Sequence, residues 1–143
     1  MSAAKLYTPE MLGLAVELAA YPPISTAAAT GQARSPTCGS TLSVSMRLDW
    51  NERVEALGLQ VSACAIGQAA AALFARSAIG RDAADIVTMR RQIARWLVGE
   101  GPMPEWPDLD MLEPARGYPG RHGAILLPWQ AAAAALSPES TPA

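Results

Sequence analysis

The chain is 143 residues long and 15.0 kDa, half hydrophobic and only 6 % aromatic, with a net charge of −2 and a pI near 5.3. That size suits one domain over 1–143 with a sizeable core, and the acidic balance leaves no electrostatic footprint for nucleic acid. No apolar run reaches the roughly eighteen residues that a bilayer span requires, so no membrane association is expected.

Alanine is abundant and aromatics are few, which predicts close-packed helices with small faces rather than an aromatic interior. Thr8-Pro9-Glu10 is a helix start, with a hydroxyl N-cap, proline at the first helical position and an acid in the first turn. Met11, Leu14, Ala15 and Leu18 recur at helical spacing until Tyr21-Pro22-Pro23 stops the helix. The residues from there through Thr30-Gly31 are small and polar without a period, and read as a loop. Strict alternation then begins: Leu42, Val44, Met46 and Leu48 face one side, and Ser43, Ser45 and Arg47 the other, as in a half-buried strand. Asp49-Trp50-Asn51 turns the chain, and 53–57 and 59–62 read as two further strands broken by Gly58, giving a three-stranded antiparallel meander.

From Ala65 to Ile79 nearly every residue is small or apolar, which predicts an interior helix. Asp82 and Asp85 open a longer amphipathic helix with Ile86, Met89, Ile93 and Trp96-Leu97 inward, Arg90, Arg91 and Arg95 on its solvated side, and Gly99 as its stop. Prolines keep Gly101 to Pro107 out of helix. A short helix is expected from Asp108 to Ala115 and a final one over 125–136, with Pro128 in or near its first turn and Ser137 to Ala143 as a frayed tail. The opening residues carry one lysine and then a mixed helix rather than a secretory leader, so a cytoplasmic location is expected. Cysteines there are expected to be free or metal-bound rather than joined in a disulfide.

The chemistry concentrates at two cysteines with twenty-five residues between them. Cys38 lies in a Pro36-Thr37-Cys38-Gly39 turn that leaves the thiol accessible, with Gly39 free to take a conformation that a side chain would block. Cys64 stands where the third strand meets the interior helix, and a helix N-terminus favours a thiolate through its unpaired N–H groups and dipole. A meander brings both to one end of the sheet. The sole histidine, His122, is the remaining metal-binding side chain near this region of the sequence, while Asp108, Asp110 and Glu113 have no spacing that points toward the cysteines. No Gly-x-Ser-x-Gly elbow, phosphate loop or dinucleotide fingerprint occurs.

Four stretches together carry a resemblance: Pro36-Thr37-Cys38-Gly39; Cys64 at the head of a small-residue helix; Gly80-Arg81-Asp82 at the head of another; and Asp108-Leu109 through Leu112 to Arg116-Gly117-Tyr118-Pro119-Gly120-Arg121. In order and spacing, over about 7–136, they resemble the U-type iron–sulfur cluster assembly scaffolds: the NifU N-terminal domain, IscU and SufU. The last stretch, with Trp129 five residues beyond Ala124, looks most like the SufU branch. The resemblance implies an α+β fold, a three-stranded antiparallel sheet packed against about four to five helices. It implies a non-enzymatic scaffold that accepts sulfur and iron, holds a transient iron–sulfur cluster, such as a [2Fe–2S] unit, or zinc, and works with a cysteine desulfurase and iron–sulfur acceptor proteins. Cys38 and Cys64 match two of the three cysteines that such proteins use as ligands. Ser40 stands where they carry an aspartate, and Ala124 where they carry the third cysteine.

That departure leaves three readings open. Two chains, each with two cysteines, complete four-thiolate ligation in a homodimer. A mononuclear zinc site uses Cys38, Cys64 and His122, or Ser40, with water completing the four donors. Alternatively the chain holds no metal, because Ala124 offers no ligand, and serves as an interaction or regulatory module with Trp106 exposed at an interface.

Overall fold

The computed structural model describes residues 8–136; the expected frayed tail, 137–143, lies outside the described residues. Thr8 caps the first helix, α1 (Pro9–Glu17), by accepting from the Met11 N–H at 3.1 Å, and a 3-10 turn, Leu18–Ala20, finishes it. The sheet follows as β1 (Ala29–Arg34), β2 (Thr41–Leu48) and β3 (Val54–Ser62), antiparallel in the order β1-β2-β3. Then come α2 (Ala65–Ala78), α3 (Ala83–Leu97), 3-10 segments Leu109–Gly117 and Pro119–Arg121, and α4 (His122–Leu136). The fold is α+β, as expected, and no helix among the described residues is long and apolar enough to cross a membrane.

The sheet has three strands, but two of them are drawn differently from the sequence reading. The end of the expected loop, through Gly31, belongs to β1, which continues to Arg34, and 53–57 and 59–62, read as two strands, fall in the single strand β3 apart from Arg53. The reason is the same in both places: backbone approaches the sheet too closely for side chains. On β1 the residues facing inward are Ala29, Gly31 and Ala33, which stand opposite the large Met46, Val44 and Leu42 of β2. A Cβ on Gly31 would come within 2.9 Å of the Ala135 Cβ, because α4 lies directly on this strand. On β3, Gly58 keeps its pairing with Ser45, and a Cβ there would reach 2.7 Å from the Pro23 Cα of the segment crossing the sheet. Small inward residues gave no alternation to read.

Helix α4 also begins earlier than expected, at His122, so Pro128 sits inside it rather than in its first turn. The proline removes the N–H that would meet the Ala124 carbonyl. α4 packs on β1, β2, α2 and α3, and α2 is buried along nearly its whole length, from Ile66 to Ala75. Asp82 caps α3 in a reciprocal arrangement with Asp85, and Gly99, at φ +78°, ends it.

The interior does have an aromatic centre, against expectation. Phe74 stacks on Trp106 at 5.7 Å, and Trp129 meets both rings edge-on at 5.6 and 5.2 Å. Trp106, expected at an interface, is 3 % exposed, donates its indole N–H to the Leu73 carbonyl at 2.9 Å and carries the Arg81 guanidinium on its face at 3.9 Å. The alanine faces let helices approach closely enough for three rings to fill one space.

The close approach at Gly31 gives a signed expectation. Gly31→Ala forces α4 off the sheet and costs about 1–3 kcal/mol by overpacking. Gly13→Ala, on the exposed face of α1 where a Cβ meets nothing within 4 Å, stabilises by about 0.5–1 kcal/mol. Urea unfolding midpoints of the two variants should move in opposite directions; movement in the same direction would contradict this packing.

Candidate functional site

β2 begins and β3 ends side by side, with Thr41 paired to Ser62. Cys38, just before Thr41, and Cys64, just after Ser62, therefore leave the same end of the sheet. The first turn of α4 meets them there. A Cβ on Gly123 would lie 2.5 Å from the Ser35 Oγ, and one on Gly67, in the first turn of α2, would lie 3.3 Å from the Ala124 Cβ. The β1–β2 loop, the head of α2 and the head of α4 thus converge.

Cys38 sits in the turn between β1 and β2, which the Ser35 N–H closes onto the Ser40 carbonyl at 2.8 Å and the Gly39 N–H onto the Ser35 carbonyl at 2.8 Å. Gly39, at φ +74°, takes the left-handed conformation that the turn needs. The thiol is exposed, while the serines at the base of the turn are not: Ser35 is 1 % exposed and Ser40 6 %. Cys38 Sγ donates to the Ser35 Oγ at 3.4 Å and shares a hydrogen bond with the Ser40 Oγ at 3.1 Å. Hydroxyls rotate, so once the proton leaves, both donate to the thiolate. Ser35 above all, then the Ser40 hydroxyl and backbone N–H, and last the Arg121 charge, lower the thiol from an ordinary 9.0 to about 7 against a small desolvation penalty.

Cys64 is the N-cap of α2, extended at φ −65° and ψ 171°, and its side chain makes no capping hydrogen bond. It is half-buried and packs partly against the core. Ala124 is fully buried in the first turn of α4. His122 lies in the same turn, but its Nε2 donates to the Arg116 carbonyl at 2.8 Å, which leaves only Nδ1 to bind anything. Asp108 is held by Arg76 at 3.2 Å. Among the described residues, no three histidine, cysteine or acidic side chains gather as a metal-binding group. Two thiols, with the two neighbouring serine hydroxyls neutral and already bonded to Cys38, do not supply the four donors of a closed metal site.

Sequence reasoning placed Cys38, Cys64, Ser40 and Ala124 at this end of the fold but passed over Ser35. Its signal was a second serine at the other base of the Ser35-Pro36-Thr37-Cys38-Gly39-Ser40 turn, visible only once that turn is known to close a hairpin.

Residues 7–112 match the NifU-like N terminal domain family, and the chain belongs to it. The matched span ends before the segment that carries Ala124. The N-terminal part of a nitrogen-fixing NifU-like protein from Brucella abortus is 31 % identical, with 92 % of each chain covered and a TM-score of 0.83. A protein from the thermophile Fervidobacterium islandicum AW-1, assigned as an iron–sulfur cluster assembly scaffold for the SUF system, has the same fold at 19 % identity, with 96 % of this chain and 100 % of that one covered and a TM-score of 0.81. No curated protein matches the sequence.

The hydroxyl cradle sets the pH range in which Cys38 reacts. Its alkylation by iodoacetamide, followed on the Cys38 peptide by mass spectrometry, should be half-maximal near pH 7, and Ser35→Ala should move that midpoint upward. A wild-type midpoint close to the ordinary 9.0 would contradict the arrangement.

Proposed function

We propose that this chain serves iron–sulfur cluster assembly as a sulfur-accepting scaffold, taking sulfur at Cys38 from the persulfide of a cysteine desulfurase and passing it toward iron–sulfur acceptor proteins. The observation that carries this reading is an exposed thiol resting on two buried hydroxyls, at the sheet end where Cys64 opens α2. Membership of the NifU-like family supports it.

The transfer is an exchange at sulfur. The Cys38 thiolate attacks the outer sulfur of a persulfide, R–S–SH. A new S–S bond forms at Cys38, the donor's S–S bond breaks, and its electron pair leaves with the donor thiolate R–S⁻. No net oxidation occurs and the proton stays on the transferred sulfur. A thiolate attacks and a thiol does not, so a thiol lowered to about 7 suits this step at neutral pH.

Iron is cargo here rather than a resident cofactor. One chain offers two thiols, and capture of a [2Fe–2S] unit by four thiolates requires two chains. After anaerobic reconstitution with iron and sulfide, the protein should carry both in matched amounts and elute as a dimer, and a Cys38→Ala, Cys64→Ala double variant should carry neither. Protein that stays free of iron and sulfide after reconstitution would remove cluster building from its role and leave sulfur acceptance alone.

A further inference from the structure

Two of the positions that bind metal in the resembled scaffolds carry no donor of that kind here, yet the site is not an empty remnant. Ser40 replaces a carboxylate with a neutral hydroxyl that is buried and in contact with Cys38. Ser35 adds a second hydroxyl, and its side chain is more deeply buried than any other polar one in the core. Ser35 is also the residue on which the loop is built. Its N–H and carbonyl close the turn, and its Oγ occupies the space that a Cβ on Gly123 of α4 would take. A buried hydroxyl that faces a thiol finds in that sulfur its hydrogen-bond partner, and so holds it in place.

We infer that Ser35 and Ser40 hold Cys38 as a metal-independent acceptor of sulfane sulfur, standing in for the carboxylate and metal ion that would otherwise fix the thiolate. The inference rests on the sulfur-accepting reading above and deepens it, naming what orients the nucleophile and what the site does without. Both serines are positioning residues: they act on the donor persulfide only through Cys38. A neutral cradle has a chemical consequence. A carboxylate beside the thiolate disfavours the ionised sulfur by like-charge repulsion, and a bound metal ion draws electron density from the sulfur that must attack. Two hydroxyls do neither, and leave Sγ localised and open to solvent.

The test uses the full chain, purified with a chelator present, and glutathione persulfide as the sulfur donor. Sulfur uptake is read as the mass of one added sulfur on the Cys38 peptide. Wild type should take up sulfur at the same rate with chelator or with added zinc. Ser35→Ala and Ser40→Ala should each lower the maximal rate on the order of tenfold while leaving the half-saturating donor concentration unchanged, as expected when a nucleophile is misplaced and donor binding is intact. Thermal melting of both variants reports whether they fold. A folded Ser35→Ala and a folded Ser40→Ala that both match wild type would overturn the inference, as would uptake that appears only with added zinc. In either case sulfur acceptance itself would stand. No uptake by wild type under any condition would instead remove the functional reading on which the inference rests.

Discussion

Helix α4 can reach the sheet only where side chains are missing. Gly31 on β1 admits Ala131 and Ala135, Gly67 on α2 faces Ala124, and Gly123 on α4 itself makes room for Ser35. These three contacts run along the helix from its last turns to its first and fix both its height above the sheet and its rotation. An interior packed at crystal-like density has little slack to absorb a change at any of them. The first turn of α4 is therefore delivered against the β1–β2 loop and the head of α2 by contacts made far down the helix. The site depends on that delivery more than on any bond within it.

The same constraint explains what the site has become. At Ala124, where the resemblance to U-type scaffolds calls for a ligand, a fully buried methyl lies against Gly67 of α2. At the opposite side of the turn a buried serine presses on Gly123 and turns its hydroxyl to Cys38. Small, neutral groups line this end of the fold, and the side chains that hydrogen-bond Cys38 are hydroxyls. The sulfur consequently stays accessible, in contrast to the half-buried Cys64 at the head of α2.

Much of this was legible before any coordinates. Helix starts and stops written in Thr8-Pro9, Asp82 and Gly99 appear where the chemistry of caps requires them. β2 was evident because its inward residues, Leu42, Val44 and Met46, are large. β1 was not, because its inward residues are Ala29, Gly31 and Ala33, sized for a helix that lies on them, and a strand whose partner supplies the bulk has no period of its own. Gly58 was mistaken for a break because a glycine that ends a strand and a glycine that admits a crossing backbone look alike in sequence. Trp106 was taken for a surface residue because its proline-interrupted segment has no period to mark an inward face, whereas its ring turns inward onto Phe74. At the site, the two cysteines could be read from their turn and helix settings, and the absent third one from the family resemblance, but Ser35 could not, since its role comes from a hairpin and a helix that meet only in the folded chain.

The central claim is that Cys38 alone, held by hydroxyls and without a metal ion, receives sulfur. The most direct measurement is peptide mass spectrometry of the chain after incubation with a cysteine desulfurase and cysteine in the presence of a chelator. The account expects one added sulfur on the peptide containing Cys38, none on that containing Cys64, and no loss of labelling in a Cys64→Ala variant. Sulfur found first on Cys64, or on neither cysteine until zinc is supplied, would contradict it.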